Sequence, residues 1–268
     1  MSAAPRFDGS IPQFYQRHLG SVFFEPYAAD LTSRLPIRKG MRVLELACGT
    51  GVVTRRLASI LPPDARITAT DLNETMMDEA RQRRGGADSR IEWRQADATA
   101  LPFPDNSFDA VLCQFGVMFF PDKPAGAREA LRVLKPGGAY LFNVWDDLSA
   151  NDFSRITDEV LQRLFPEAPP QFLKAPFSYD DPDEIRRLLG GFIQVSVARV
   201  ELPSESPSAE DIANGLVRGT PLANDLTQRN RPVDEIVRAV AAAIAAKCGQ
   251  RPARGRMRAL VAEARKPA

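Results

Sequence analysis

The stretch VLELACGTG, residues 43–51, constrains this chain more than any other. An apolar run passes through two glycines one residue apart, and VVTRRLASIL follows with helical spacing. A strand that turns through glycines into a helix is the opening unit of an α/β sheet. Glycine lets backbone approach a ligand closely, and the helix start offers free N–H groups and the positive end of a dipole. Two common ligands fail the count. The dinucleotide fingerprint needs a third small residue, whereas Gly49, Thr50 and Gly51 are followed by Val52, Val53 and Thr54. A phosphate loop fails too, because no Gly-Lys-Ser or Gly-Lys-Thr occurs. Glu45 stands on the strand just before the glycines, where it repels a diphosphate and attracts a cationic head, an ammonium or a sulfonium.

The strand and helix rhythm continues downstream. RITATD is a β-branched second strand after Pro62-Pro63, and Asn73 caps a helix, NETMMDEARQRR, stopped by Gly85-Gly86. IEWRQAD and FDAVLCQ read as the third and fourth strands. PAGAREALRVL reads as a helix closed by KPGG, and AYLFNVW as the fifth strand. This alternation predicts a parallel sheet covered by helices. Upstream, FEPYAADLTSRL carries Tyr27, Leu31 and Leu35 at four-residue spacing, a helix with Pro26 in its first turn. Beyond Trp145, helices are expected at 151–165 and 181–190, then a strand FIQVSVARVEL, helices between 208 and 248, and a last strand near GRMRALVAEA. Two late strands are too few for a second sheet. They are expected to extend the first, with helices 208–248 inserted over one edge.

Composition narrows the function classes. A chain of 268 residues, 44% hydrophobic, can bury one core with an appended lobe. Its 35 basic and 34 acidic residues nearly cancel and form no long block, so no nucleic-acid partner is expected. The basic end RPARGRMRALVAEARKPA alternates as a strand with a solvated face. Cys48, Cys113 and Cys248 lie far apart without metal-like spacing, so free thiols and no metal are expected. The N-terminus lacks a secretory pattern, and no run approaches the roughly 18 apolar residues of a membrane helix. These features predict a soluble cytoplasmic protein without a membrane partner.

Two further acids stand at strand ends. Asp71 follows Gly51 by twenty residues, at a place where a carboxylate accepts both hydroxyls of a ribose. Asp97 ends the next strand and can accept from an adenine amino group. Three acids at three successive strand ends suit a cationic nucleoside.

On VLELACGTG, TATDLNETMMDEA, ADATALPFPDNSFDAVLCQFGVMFF and REALRVLKPGGAYLF, the chain resembles the class I S-adenosylmethionine-dependent methyltransferases, in their small-molecule and quinone-like group. The resemblance covers about residues 40–145. It implies a Rossmann-like, seven-stranded twisted sheet with helices on both faces and the last strand antiparallel, matching the count of five strands plus two. It implies S-adenosyl-L-methionine as cofactor, S-adenosyl-L-homocysteine as product, and a small-molecule acceptor. By position, Glu45, Ala47, Cys48, Gly49 and Gly51 would lie at the methionine end. Asp71, Leu72 and Met76 would follow along the ribose, Asp97 and Ala98 at the adenine, and Gln114 beside the cofactor. One methyltransferase domain over 1–268 is implied: a helical lid at 1–38, a cofactor-binding core at 39–145, and the remaining sheet at 146–268 with a helical acceptor-site insertion at about 208–248.

Other residues are weighed individually. His18, the only histidine, is the candidate general base, against a packing role. Tyr15, Phe24, Trp145 and Arg218 are candidates for the acceptor pocket. Cys48, between Ala47 and Gly49 with no adjacent histidine, reads as a packing residue rather than a nucleophile. The expected reaction is methyl transfer to an O, N or C nucleophile. Two alternatives stay open on the residues alone, a nicotinamide-dependent oxidoreductase and a cofactor-binding protein repurposed away from methylation. Oligomeric state has no readable signal.

Overall fold

The structure, a computed structural model, describes residues 7, 9–83, 88–229 and 231–268, so the Gly85-Gly86 stop lies outside the described residues. Strand β1 (Arg42–Leu46) pairs in parallel with β2 (Arg66–Asp71) on one side and β4 (Phe108–Gln114) on the other. Strand β3 (Ile91–Gln95) continues beyond β2, and β5 (Leu134–Trp145) beyond β4, both parallel. Strands β6 (Ile193–Ser206) and β7 (Ala253–Arg265) complete one seven-stranded sheet of order β3-β2-β1-β4-β5-β7-β6. β7 alone runs opposite to the other six strands, pairing antiparallel with β5 and with β6. The strand order reverses between β1 and β4, and the crevice at such a reversal is where open α/β sheets bind ligands.

Helices cover both faces. On one face α2 (Glu25–Ser33) and α3 (Val52–Ile60) bury Leu31 and Leu57 against Val43, Leu112 and Leu141 of the sheet. Tyr27 and Leu31 are fully buried, which makes α2 a layer of the core. Helix α4 (Glu74–Arg83) follows β2 and buries Met76 and Met77. Helix α5 (Lys123–Val133) starts where the Asp122 carboxylate accepts from Ala125 N–H at 2.8 Å, with Pro124 in the first turn. The sequence places KPGG between α5 and the fifth strand. In the structure β5 begins at Leu134 directly after the helix, because Leu134 already pairs with Phe108; the ladder then shifts register between Phe108 and Ala110.

The remaining helices build the roof. Helix α1 (Ile11–Leu19) runs through a π-helical turn, Gly20–Phe24, into α2. Helix α6 (Asp152–Leu164) follows β5 and α7 (Pro182–Leu188) precedes β6. Between β6 and β7 lie α8 (Ala209–Arg218), α9 (Leu222–Gln228) and α10 (Val233–Cys248). The sequence places this insertion over one sheet edge. It packs mainly elsewhere, α8 against α1 and α10 against α6 and α8, so it closes over the helical cap. The α1 to α8 approach needs glycine: a Cβ on Gly219 would come within 2.7 Å of the Tyr15 backbone nitrogen.

Candidate functional site

The glycine turn after β1 is built on left-handed backbone at alternate residues, with φ of 51° at Ala47, 52° at Gly49 and 76° at Gly51. A side chain at Gly51 would be doubly disfavoured, by that φ and by the Ala80 Cβ, 3.0 Å from where its own Cβ would sit. Asp71, at the end of β2, ties the turn to the next loop. One carboxylate oxygen accepts from Gly49 N–H and the other from Asn73 N–H, both at 2.8 Å. Thr50 is held from two sides. Its hydroxyl donates to Gln16 Oε1 of α1 at 2.5 Å, and its carbonyl accepts from Arg55 at 2.7 Å.

Of the other residues expected near a cofactor, Met76 reaches the turn itself. Met76 is buried, with its methyl 3.5 Å from where a Cβ on Gly49 would lie. Leu72 is 56% exposed, a bare apolar side chain beside Asp71. Asp97 lies two residues beyond the end of β3 rather than on it, because its carboxylate turns back to the N–H and hydroxyl of Thr99 at 2.8 and 2.7 Å. It is exposed, and Ala98 beside it is partly buried. Cys48 is buried with Ala69 and Met77, a packing position. Gln114 ends β4 and donates through Nε2 to the Phe24 carbonyl at 3.1 Å.

Glu45 is 2% exposed, and its carboxylate accepts from Thr54 Oγ1 at 2.5 Å. Burial pushes its pKa up to about 8, against the Thr54 bond and the Arg55 charge, while nearby Asp71 pushes the same way. Asp71 is also raised by burial, opposed by the N–H groups of Asn73, Gly49 and Leu72. Two acids that resist ionising side by side favour a cation between or above them. The folded chain therefore holds a Glu45 proton between the ordinary carboxylate range and about pH 8 that the unfolded chain releases. The stability from that proton is full in acid and is lost as pH rises through about 8. Glu45→Gln keeps the Thr54 partner and removes the titration. Relative to wild type it should gain on the order of 2–4 kcal/mol between pH 5 and pH 9, since each tenfold difference in proton affinity between folded and unfolded chains corresponds to about 1.4 kcal/mol. Denaturant melts at both pH values read this difference, and equal wild-type and variant slopes against pH would refute it.

Next to the turn lies an apolar cavity of about 70 Å³. Nine aromatic side chains line it, among them Tyr15, Phe23, Phe24, Phe115, Trp145 and Phe177. Phe115 and Trp145 stack at 3.9 Å, and Tyr15 stacks on Phe24 at 4.7 Å. The polar side-chain groups among the described lining residues are the hydroxyls of Tyr15, Ser154 and Thr220 and the indole N–H of Trp145. Burial, with the Asp71 charge adding, holds the Tyr15 phenol far above its ordinary range, so it stays protonated and serves as a donor. Of the acceptor-pocket candidates, Tyr15, Phe24 and Trp145 line this cavity and Arg218 does not. Arg218 is drawn instead to Asp234 and Asn214 and lies over the Phe14 ring. His18, the candidate base, is also absent from the lining. Its Nδ1 is bonded to Asp211 Oδ1 at 2.9 Å and its ring stacks on Phe14, which clips α1 to α8.

Several contributors carry little signal in the sequence. Gln16 is one residue from Tyr15, and Phe115 one from Gln114, so adjacency is their only mark. Phe172 and Phe177 come from a 3₁₀ segment, Phe172–Phe177, whose short turn carries no strand or helix periodicity.

Comparison with known proteins places this geometry in a family. A family model described as a methyltransferase domain matches residues 43–138. A ubiquinone/menaquinone biosynthesis C-methyltransferase UbiE of Shewanella halifaxensis is 32% identical over 173 residues, covering 59% of this chain and 69% of that protein. The UbiE protein of Shewanella woodyi is 38% identical over 130 residues, 48% of this chain and 49% of that protein, so the chain spans about half the length of several curated relatives it matches. Among solved structures, Haemonchus contortus phosphoethanolamine N-methyltransferase 2 in complex with S-adenosyl-L-methionine gives a TM-score of 0.62 at 18% identity, covering 96% of this chain and 57% of that one. The YcgJ protein of Bacillus subtilis gives 0.57 at 19% identity, covering 91% and 99%. These two share the fold. The sheet order, the glycine turn with its strand-end acids, and the extended match to the Shewanella halifaxensis protein together show that the chain belongs to the class I S-adenosylmethionine-dependent methyltransferases.

Proposed function

We propose that this protein transfers a methyl group from S-adenosyl-L-methionine to a small, neutral, aromatic, quinol-like acceptor. The observation that carries the reading is the juxtaposition of an acid-bearing glycine turn with an aromatic cavity whose only ionisable lining group among the described residues is a phenol held protonated. The residues at the turn fit the cofactor. Asp71 offers two carboxylate oxygens to a ribose, exposed Leu72 offers an apolar seat to a flat base, and exposed Asp97 with Ala98 lies at its rim. Glu45 and Asp71, both destabilised as anions by burial and Glu45 also by the Asp71 charge, favour a cationic ligand. Ala47, Gly49, Gly51 and Met76 shape the floor.

When bound, the cofactor supplies an electrophilic methyl on a sulfonium whose bonding pair stays on sulfur, so departure needs no acid and no metal. The chain supplies position and dryness. Aromatic walls hold a flat ring by its faces, and α1, tied to the turn by Gln16 and Thr50, closes over both ligands. No general base faces the cavity among the described lining residues, so the neutral acceptor must be nucleophilic without one, at an electron-rich ring carbon that takes the methyl and then loses its ring proton to solvent. The balanced charge supports a small molecule rather than nucleic acid. Three free cysteines, two of them buried, fit a reducing compartment such as the cytoplasm.

Calorimetry with S-adenosylhomocysteine and with NAD tests the cofactor half of this reading. Binding of the first and none of the second is expected; the reverse order would revive the oxidoreductase alternative.

A further inference from the structure

Phe115 follows β4 directly and has a φ of 50°, in the left-handed region that a bulky aromatic residue rarely enters. Glycine would enter it freely, yet the glycine of this corner stands one residue later, at Gly116, whose φ of −108° requires none. Gly116 is there for space: a Cβ on it would lie 2.5 Å from the Ala47 Cβ and 2.7 Å from the Cys113 sulfur. The corner thus rests on Ala47, where the glycine turn begins, and its strained position keeps a ring. Asn143 of β5 holds that position. The Phe115 N–H donates both to the Asn143 carbonyl at 3.1 Å and to Asn143 Oδ1 at 3.0 Å, and Asn143 is fully buried. Such backbone persists only where its surroundings over-determine it. The ring it aims lies against Trp145, with 3.9 Å between centroids and 10° between planes, and meets Phe24 and Tyr27 edge-on. Phe115 and Trp145 both line the aromatic cavity, whereas Asn143 does not.

We propose that Asn143 is a positioning residue for the acceptor: its side chain fixes Phe115 in left-handed backbone, and the ring so aimed is the wall against which a flat acceptor is seated beside the glycine turn. This rests on the methyl-transfer reading above and names what sets the fit of the acceptor. Rotation about φ carries the Cβ with it, so Phe115 in relaxed backbone would turn its ring off Trp145 and reshape the cavity. Transfer from a sulfonium needs the attacking atom in line with the bond that breaks, so a displaced wall costs alignment as well as affinity. Asn143 acts on the acceptor only through Phe115, which is what the test isolates.

The probe is 2-naphthol, titrated by calorimetry into protein saturated with S-adenosylhomocysteine, in a double-mutant cycle of Asn143→Leu and Phe115→Leu. Asn143→Leu removes Oδ1 and should weaken naphthol binding by about 3- to 10-fold, the affinity equivalent of one lost aromatic contact. Affinity for S-adenosylhomocysteine should stay within about 2-fold, and Asn143→Asp, which keeps an acceptor oxygen, should restore most of the naphthol loss. In the Phe115→Leu background, Asn143→Leu should change naphthol affinity by less than about 2-fold, because the ring it positions is already gone. The same loss in both backgrounds, no loss in either, or an equal fall in S-adenosylhomocysteine affinity overturns the proposal and leaves the methyl-transfer reading intact. Failure of wild type to bind S-adenosylhomocysteine or naphthol contradicts that reading and takes the proposal with it. Should the variants not fold, amide exchange in wild type decides: the Phe115 N–H should exchange as slowly as those within β4, and fast exchange overturns the proposal.

Discussion

Asp71→Ala is expected to weaken S-adenosylhomocysteine binding by about 100-fold or more while the chain stays folded. The carboxylate does two jobs at once. It accepts from Gly49 N–H and Asn73 N–H, which sets the shape of the glycine turn, and in the proposed function it also accepts from the ribose. Hydrogen bonds to a charged group contribute roughly 1.5–3 kcal/mol each, so losing two reaches the 100-fold range. The fold should persist because Asp71 sits at the end of β2, after its pairing with β1 has finished. Asp71→Asn, which keeps one acceptor oxygen, should fall between. Calorimetric titration beside a thermal melt separates the two effects; an unchanged affinity in a folded Asp71→Ala protein would remove Asp71 from the cofactor site.

The second large effect concerns Trp145. Its ring stacks on Phe115 at 3.9 Å and makes edge or tilted contacts with Phe23, Phe24, Tyr27 and Phe177. It thus joins β5, the π-helical turn, α2 and the 3₁₀ segment in one cluster. Trp145→Ala should cost about 3–5 kcal/mol, the usual range for emptying a large aromatic from a core. That is a large share of a total stability near 5–15 kcal/mol. Trp145→Phe should cost much less and enlarge the cavity, so its effect moves from folding to acceptor choice. Urea unfolding measures the first, and a loss below about 1 kcal/mol for the alanine variant would show that the cluster is loosely packed.

The sheet was legible because each of its strands carries its own punctuation. Pro62-Pro63, Lys39-Gly40 and the β-branched RITATD mark boundaries through backbone chemistry, whereas at KPGG the pairing of Leu134 with Phe108 starts β5 earlier than the glycines indicate. The cradle was legible for a related reason: a left-handed turn after a strand demands glycine, and acids at strand ends stand out in an apolar sequence. The acceptor side was harder to read. Phe115, Phe172 and Phe177 face one cavity only because three separate segments meet there, and an aromatic residue in sequence looks the same whether it packs a core or lines a pocket. His18 and Arg218 were misleading for the same reason. Their chemistry suggested a site, while Asp211 and Asp234, distant in sequence, bind them elsewhere. Glu45 was legible as an acid beside the glycine turn, but its burial beneath Thr54 depends on α3 folding back over β1.

The central claim is that a methyl group passes from the cofactor to a neutral aromatic ring. The direct measurement uses methyl-labelled S-adenosylmethionine with a matched set of ring compounds bearing a hydroxyl, an ammonium or a carboxylate, scored for label on the ring compound and for S-adenosylhomocysteine formed. The account predicts label on the hydroxylated neutral rings in step with S-adenosylhomocysteine, and little on the charged ones. Transfer confined to the charged compounds would contradict it.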